Sequence, residues 1–221
     1  MTALMISFLA GAAPDAALLQ KLGTRALQLE HFSKASKVTV DLVADKLDSD
    51  GKVTKTTHTA LRVGRNATTV ERKLLTFVED GKDLTESKRA ELEGPQKKKE
   101  TEVKSPFHPD EQPKYQFAIL APPTDKPSLM RIGFQPSGEK TPELYIGDAT
   151  IDPETGDVLS FSLRPSKNPA FVQSLSIEAT LDAQTSAGRA MSKLTLKGVG
   201  GILFIKERFR VVTTFTDYEP F

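Results

Sequence analysis

The sequence predicts a mainly β protein of the α+β class, in which a long antiparallel meander forms a large curved sheet or barrel wall behind one N-terminal helix. Three observations carry that reading. The last strand alternates over an unusual length: Leu203, Ile205, Phe209, Val211 and Phe215 share one parity, and Lys206, Arg208, Arg210, Thr214 and Thr216 the other, which is the period of a half-buried antiparallel strand. At about fifteen residues it far exceeds the usual five or six, as a curved wall with an apolar inner face requires. Turn signals of the hairpin type recur along the chain, and one stretch near its start has clear helical spacing.

Pro14-Asp15 opens that helix, because proline and an acid suit a first turn. Ala16, Leu19, Leu22, Ala26 and Leu29 recur at helical spacing to about Phe32, and Leu18 and Leu27 widen the stripe. Val38, Val40, Leu42 and Ala44 alternate with polar residues up to Asp48-Ser49-Asp50-Gly51, a hairpin signal, after which Val53, Thr57, Thr59, Leu61 and Val63 share a parity. Gly64-Arg65-Asn66 turns into a third strand over 69–79. The stretch from Asp83 to Lys104 is dense in charge. Asp83 to Glu93 suits a short helix stopped by Gly94-Pro95, and Lys97-Lys98-Lys99 reads as a solvated loop, with a docking patch for phosphate or an acidic partner as the alternative. Prolines between Pro106 and Pro127 isolate strands at Tyr115–Ile119 and Met130–Phe134. The hairpin rhythm then becomes regular. Leu144–Asp152 is followed by a turn at Pro153-Glu154-Thr155-Gly156, then Val158–Leu163, a strand carrying Leu175, Ile177, Ala179 and Leu181, then Ala190–Lys197 and the terminal strand. Roughly nine or ten strands joined by short turns make an antiparallel meander.

At 221 residues the chain fits one domain, expected over 14–221 with a charged insert at 83–104. Its 30 basic and 29 acidic residues leave a formal charge of +1, so no whole-chain field recruits nucleic acid or anionic lipid. With a cysteine count of 0, disulfides, thiolate metal sites and cysteine nucleophiles are excluded together. Met1 to Ala13 is a short apolar run ending in small residues, and Ala10-Gly11-Ala12 has the small-x-small form of a signal-peptidase site. It is too short to span a bilayer and is read as the tail of a secretory signal, with an ordinary apolar first helix as the alternative. No later stretch approaches about twenty apolar residues, so the mature protein is expected to be soluble.

The search for chemistry is mostly negative. His31, His58 and His108 fall on a helix, a strand and a proline-rich loop without metal-ligand spacing, and surface or edge positions are expected for them. The chain has neither a Gly-x-Ser-x-Gly elbow nor a phosphate-binding glycine loop; Gly198-Val199-Gly200-Gly201 lacks the strand-then-helix context and is expected to bend the sheet or form a turn. Asp48-Ser49-Asp50-Gly51 has the look of a calcium loop, but Lys46 stands where the first acid belongs and no glutamate closes it, so a plain turn is expected. Asp152, Glu154 and Asp157 around Gly156 form a second acidic turn, with weak calcium binding as an alternative. The absence of tryptophan counts against an aromatic carbohydrate cleft. A non-enzymatic protein without cofactor or metal is expected.

What remains is apolar surface. Phe117, Phe134, Leu159, Phe161, Leu163, Phe204, Phe209 and Phe215 fall in later strands. Either they close a core against the helix, or the strands form more wall than one helix fills and the surplus encloses a cavity. Such a cavity suits acyl chains, each buried methylene contributing about 0.8 kcal/mol. Parity selects Phe161, Leu163, Ile177, Leu203, Ile205, Phe209, Val211 and Phe215 as its expected lipid-binding lining.

Two stretches, Gly147-Asp-Ala-Thr-Ile-Asp152-Pro-Glu-Thr-Gly156 and Arg210-Val-Val-Thr-Thr-Phe-Thr-Asp-Tyr218, together with the order of secretory N-terminus, helix and meander, resemble the LolA/LolB-like family of periplasmic carriers that sort outer-membrane lipoproteins. The resemblance implies an unclosed, strongly curved β-barrel whose concave face is lidded by the N-terminal helix and a short inserted helix. It implies a periplasmic carrier holding lipid or lipoprotein acyl chains for transport to the outer membrane, with a membrane-associated protein as donor or acceptor. The charged insert at 83–104 and the proline-rich segment at 106–127 depart from the family pattern. The alternative, from a different class, is a structural or interaction protein with a filled core that acts through the insert at 83–104.

Overall fold

The computed structural model describes residues 11–66, 69–97, 104–201 and 207–220, and of 95–97 only the backbone. Helix α1 spans Ala16–Lys34. Asp15 caps it, the carboxylate accepting the Leu18 N–H at 2.7 Å, which satisfies one of the donors a first turn leaves unpaired. Strands β1 (Ser36–Leu47), β2 (Val53–Arg65), β3 (Thr69–Glu79) and β4 (Lys82–Asp83), helix α2 (Thr85–Leu92) and strand β5 (Gly94–Lys97) follow. A single 3-10 turn at Gln112–Lys114 leads into β6 (Tyr115–Leu120), β7 (Met130–Pro136), β8 (Tyr145–Ile151), β9 (Val158–Pro165) and β10 (Val172–Thr180). A small hairpin, β11 (Ala183–Thr185) and β12 (Gly188–Ala190), precedes β13 (Lys193–Gly200) and β14 (Glu207–Pro220).

All strands but the β11–β12 hairpin join one antiparallel sheet in the order β4-β3-β2-β1-β14-β13-β10-β9-β8-β7-β6, with β5 also on β3. The long final strand is the seam of this sheet: β14 pairs with β1 on one side and β13 on the other, zipping the N-terminal meander to the C-terminal one. The sheet is curved and unclosed, with β3 and β6 toward its two ends.

Within the charged insert the short helix forms and Gly94-Pro95 stops it, as expected. The solvated loop expected at Lys97–Lys99 is corrected at its first residue, because Gly94–Lys97 pairs with Thr69–Arg72 of β3. The reason is the edge of β3, whose outward N–H and C=O groups need partners. β4 takes Val78 and Glu79, the Thr85 hydroxyl accepts the Phe77 N–H at 2.9 Å, and the Glu93 carboxylate accepts the Leu74 N–H at 3.0 Å. Helix α2 is thereby fixed along β3, with Lys88 Nζ 5.9 Å from the Phe77 ring centre. Lys98 and Lys99 lie outside the described residues.

Directly opposed residues point to the same side of a sheet, so the register carries one apolar face across the molecule. One row runs Phe117, Phe134, Gly147, Leu163, Ile177, Leu196, Val211, Ala44 and Thr57 from β6 to β2. The next runs Ile119, Ile132, Ala149, Phe161, Ala179, Leu194, Thr213, Leu42, Thr59 and Phe77. The opposite face carries ion pairs: Asp41 with His58, Asp45 with Arg210 and Arg131 with Asp148.

Helix α1 covers the β6–β9 part of the apolar face. Leu22 is buried together with Ile132, Phe134, Ala149 and Ile151. Phe107, from the segment before β6, is the hub: it is 0% exposed, stacks 5.5 Å from Phe117 and 6.1 Å from Phe161, and meets Phe134 edge-on at 6.0 Å. That anchor corrects the expectation for His108. Following Phe107 into the gap between α1 and the sheet, His108 is only 3% exposed, with Nε2 2.7 Å from Glu30 Oε2. The histidines at the surface are His31 and, half-buried on the outer face, His58.

The turn between β8 and β9 clamps α1 from below. Lys21 Nζ donates to the carbonyls of Pro153 and Glu154 at 2.9 and 2.8 Å, and Arg25 pairs with Asp157 at 3.2 Å. The Asp152 carboxylate accepts the N–H groups of Glu154 and Thr155 within its own turn. Gly156 has φ 76°, and a Cβ there would fall 2.6 Å from Lys21 Cγ, so glycine is required. Ahead of α1, the Ala12 carbonyl accepts the Ile119 N–H at 2.8 Å, which lays Gly11 and Ala12 of the expected cleavage motif along β6. Met1 to Ala10 lie outside the described residues.

Candidate functional site: the inner face of the sheet

Six of the eight residues selected by parity lie on the inner face, as the register requires: Phe161, Leu163, Ile177, Phe209, Val211 and Phe215. Leu203 and Ile205 lie outside the described residues. The six separate into three environments. Phe161 and Leu163 pack against the core that α1 and Phe107 fill. Phe209 lies across the neighbouring strand, its ring over Gly198, where a Cβ would fall 2.4 Å from Phe209 Cζ. Ile177, Val211 and Phe215 stand half-buried on the remaining wall, formed by β10, β13, β14, β1 and β2.

That wall is wider than the parity of the last strands alone indicated. Val40 opposes Phe215 and Leu61, Leu42 opposes Thr213, and Leu196 opposes Val211; all four apolar partners, Val40, Leu42, Leu61 and Leu196, are half-buried too. Alternation marked Val40, Leu42 and Leu61 as one face of their strands. What they oppose follows from β1 pairing with β14, which is not a local property of the sequence.

Tyr218 was missed for a different reason. Asp217 has φ 52°, and the β1–β14 register shifts between Lys37 and Thr39. This bulge reverses parity and brings Tyr218 to the same face as Phe215. Its hydroxyl donates to the Met191 carbonyl at 2.7 Å, its ring lies 6.1 Å from Phe32, and burial pushes its phenol up to about 12. Phe32, Tyr218 and Pro220, with Gln184, Thr185 and Ser186 of the small hairpin, line an open depression of about 310 Å³. The inner face meets solvent there.

The electrostatics of the sheet are those of a scaffold. On the outer face the Asp45 carboxylate accepts two bonds from Arg210, at 2.6 and 3.0 Å, and one from Thr56 at 2.9 Å; the Arg210 guanidinium holds it below the usual carboxylate range against the opposing effect of burial. Glu30 is lowered in the same way, by its bond from Lys34 first and by His108. Among the described residues no group of three or more His, Asp or Glu is arranged to hold a metal, and every buried side-chain nitrogen or oxygen has a hydrogen-bond partner. The inner wall presents aliphatic and aromatic surface, and what it offers to a ligand is apolar area rather than charge.

Among the described residues no helix is long and apolar enough to cross a membrane. No known protein family matches the sequence, and no curated protein is similar to it. Among solved structures, a DUF1329 family protein from Desulfovibrio piger ATCC 29098 is similar over 95% of this chain and 94% of its own, with 10% identity and a TM-score of 0.42. MucB in complex with MucA(peri) is similar over 90% of this chain and 98% of its own, with 9% identity and a TM-score of 0.24. The Pseudomonas aeruginosa MucA/MucB complex is similar over 93% and 99%, with 10% identity and a TM-score of 0.27. At these scores none of them bears on what this chain binds.

Proposed function

We propose that this chain is a non-enzymatic binding protein of the bacterial periplasm that holds the acyl chains of a lipid or lipoprotein against the inner face of its sheet. One observation carries the reading: the half-buried apolar wall across β10, β13, β14, β1 and β2, contiguous with the core that α1 fills over β6–β9 and met by that helix where Phe32 packs on Tyr218. A packed core has no use for such a surplus, and extended apolar surface of this kind is typical of interaction sites. The periplasmic location rests on the secretory character of the N-terminus and on the resemblance of the Gly147–Gly156 segment. The competing interaction-protein reading draws less support, because the described part of the insert is engaged with the edge of β3.

Native mass spectrometry after gentle purification, joined to displacement of a fluorescent fatty acid, tests the proposal. A bound acyl species, or probe binding that Val211→Asp abolishes while the fold is retained, is the expected result. A chain that carries no lipid and binds no probe at about micromolar concentration sinks it. Deleting 83–104 tests the competitor: loss of a captured partner with lipid binding untouched favours it.

A further inference from the structure

We propose that Arg65 and Arg72 seat the anionic head, carboxylate or phosphate, of a single-chain amphiphile whose acyl chain lies along the inner wall. The proposal rests on the acyl-binding reading above and adds the class of ligand. Arg65 opposes Val70 and Ser36, and Arg72 opposes Val63, so both belong to the face that carries Leu61, Leu74 and Val40. Val63, Val38 and Leu74 are buried beside them, and Arg72 is itself half-buried.

Neither guanidinium has an ion pair or hydrogen bond among the described residues. Arg62, on the same strand but facing outward, shows the contrast: it donates to Thr39 and to the Asp217 carbonyl and pairs with Glu219 at 2.7 Å. Two described acids that share the inner side are committed elsewhere. Glu79 is paired with Lys55, and Glu30 with Lys34 and His108. Arg65 is exposed and Arg72 half-buried, both without such a partner among the described residues, and the donor fork of arginine fits a carboxylate or phosphate bidentately.

Their position suits an amphiphile. The row Arg65, Ser36, Pro220 ends at the depression lined by Pro220, Tyr218 and Phe32. Away from the arginines the next row is Leu74, Leu61, Val40 and Phe215, and the rows beyond it reach Leu42, Val211 and Ile177. A head held at the open end therefore leaves its chain on the wall.

The test compares a fluorescent long-chain fatty acid with its methyl ester, which has the same chain and no charge, with inorganic phosphate as a competitor. Wild type is expected to bind the acid at least about tenfold more tightly than the ester, as charge-assisted bonds in a partly buried site allow. Arg65→Gln/Arg72→Gln should lose that preference and keep the affinity for the ester, Arg65→Lys/Arg72→Lys should keep part of the preference, and phosphate should not displace the acid. Equal urea midpoints of the variants exclude unfolding as the cause. Equal binding of acid and ester by wild type, or an undiminished preference in the glutamine variant, overturns the head-group seat and leaves acyl binding standing. Displacement by phosphate assigns the arginines to a free anion and overturns it too. Binding of neither probe means that the acyl reading itself has failed and takes this proposal with it.

Discussion

Alanine at Gly147 and at Gly198 should have unequal costs, although both glycines lie on the inner face. A Cβ on Gly147 falls 2.1 Å from the Ser162 carbonyl oxygen and 2.7 Å from Leu163 Cα. Both are backbone atoms of β9, held in register from Tyr145–Pro165 to Ile151–Val158, so neither can swing aside and the strand pair must part beside the buried Phe134. A Cβ on Gly198 instead meets Phe209 Cζ at 2.4 Å and Cε1 at 2.8 Å. Those atoms end a side chain that can rotate toward the half-buried wall, and the one backbone atom near it, the Ser174 carbonyl oxygen at 3.1 Å, has to give by only a few tenths of an ångström. Overpacking typically costs about 1–3 kcal/mol, and more when backbone has to move. Gly198→Ala is therefore expected to cost about 1 kcal/mol and Gly147→Ala at least about 3 kcal/mol. For a chain of this size about 1 kcal/mol shifts Tm by roughly 2–4 °C, so the two variants separate in thermal and urea unfolding followed by circular dichroism. If Gly147→Ala stays within about 1 kcal/mol of wild type, or if Gly198→Ala is the more damaging, the strand-contact argument is wrong.

Phe134→Ala should cost about 3–5 kcal/mol, because the side chain is wholly buried among Phe107, Tyr115 and Phe161; a urea midpoint near that of wild type would contradict it. Asp45→Asn tests the Arg210 pair through pH. The folded carboxyl lies below its ordinary 3.8, so its stabilisation is present above that value and is lost as pH falls through the folded one. The difference in urea midpoint between wild type and Asp45→Asn should thus be widest near neutrality and close between about pH 5 and pH 2; a gap independent of pH rules the linkage out. Tyr218→Phe should remove from the alkaline absorbance titration a phenol that ionises only near pH 12, and an unchanged late phase would show that Tyr218 is not the protected group.

The strands were legible because alternation is local. Val38 to Ala44, Thr57 to Val63, Leu175 to Leu181 and Phe209 to Phe215 each display one apolar side in sequence, and each places that side on the inner face. Helix α1 was legible for the same reason, from its leucine spacing and the Asp15 cap. Three features were not. Tyr218 sits beyond a bulge that reverses parity, and nothing in Thr216-Asp217-Tyr218 announces a positive φ at Asp217. His108 looked like a loop histidine, since its partner Glu30 is 78 positions away and nothing local marks the adjacent Phe107 as a core anchor. The charged insert looked solvated because its residues are polar, and the edge of β3 uses them for polar bonds.

The sequence by itself determined which side of each strand is apolar, that the strands run antiparallel through short turns, and that one amphipathic helix precedes them. It left open whether those strands hold more apolar wall than one helix covers. Only the tertiary structure decided where the surplus falls. That depended on β14 pairing with β1, on Lys21 and Arg25 meeting the turn after β8, and on Phe107 and His108 fastening their segment beneath α1, contacts between residues far apart in the chain. Helix position is set by such long-range bonds and strand character by neighbours, so the inner face was readable from the chain, whereas its division into a filled core and a half-buried wall was not.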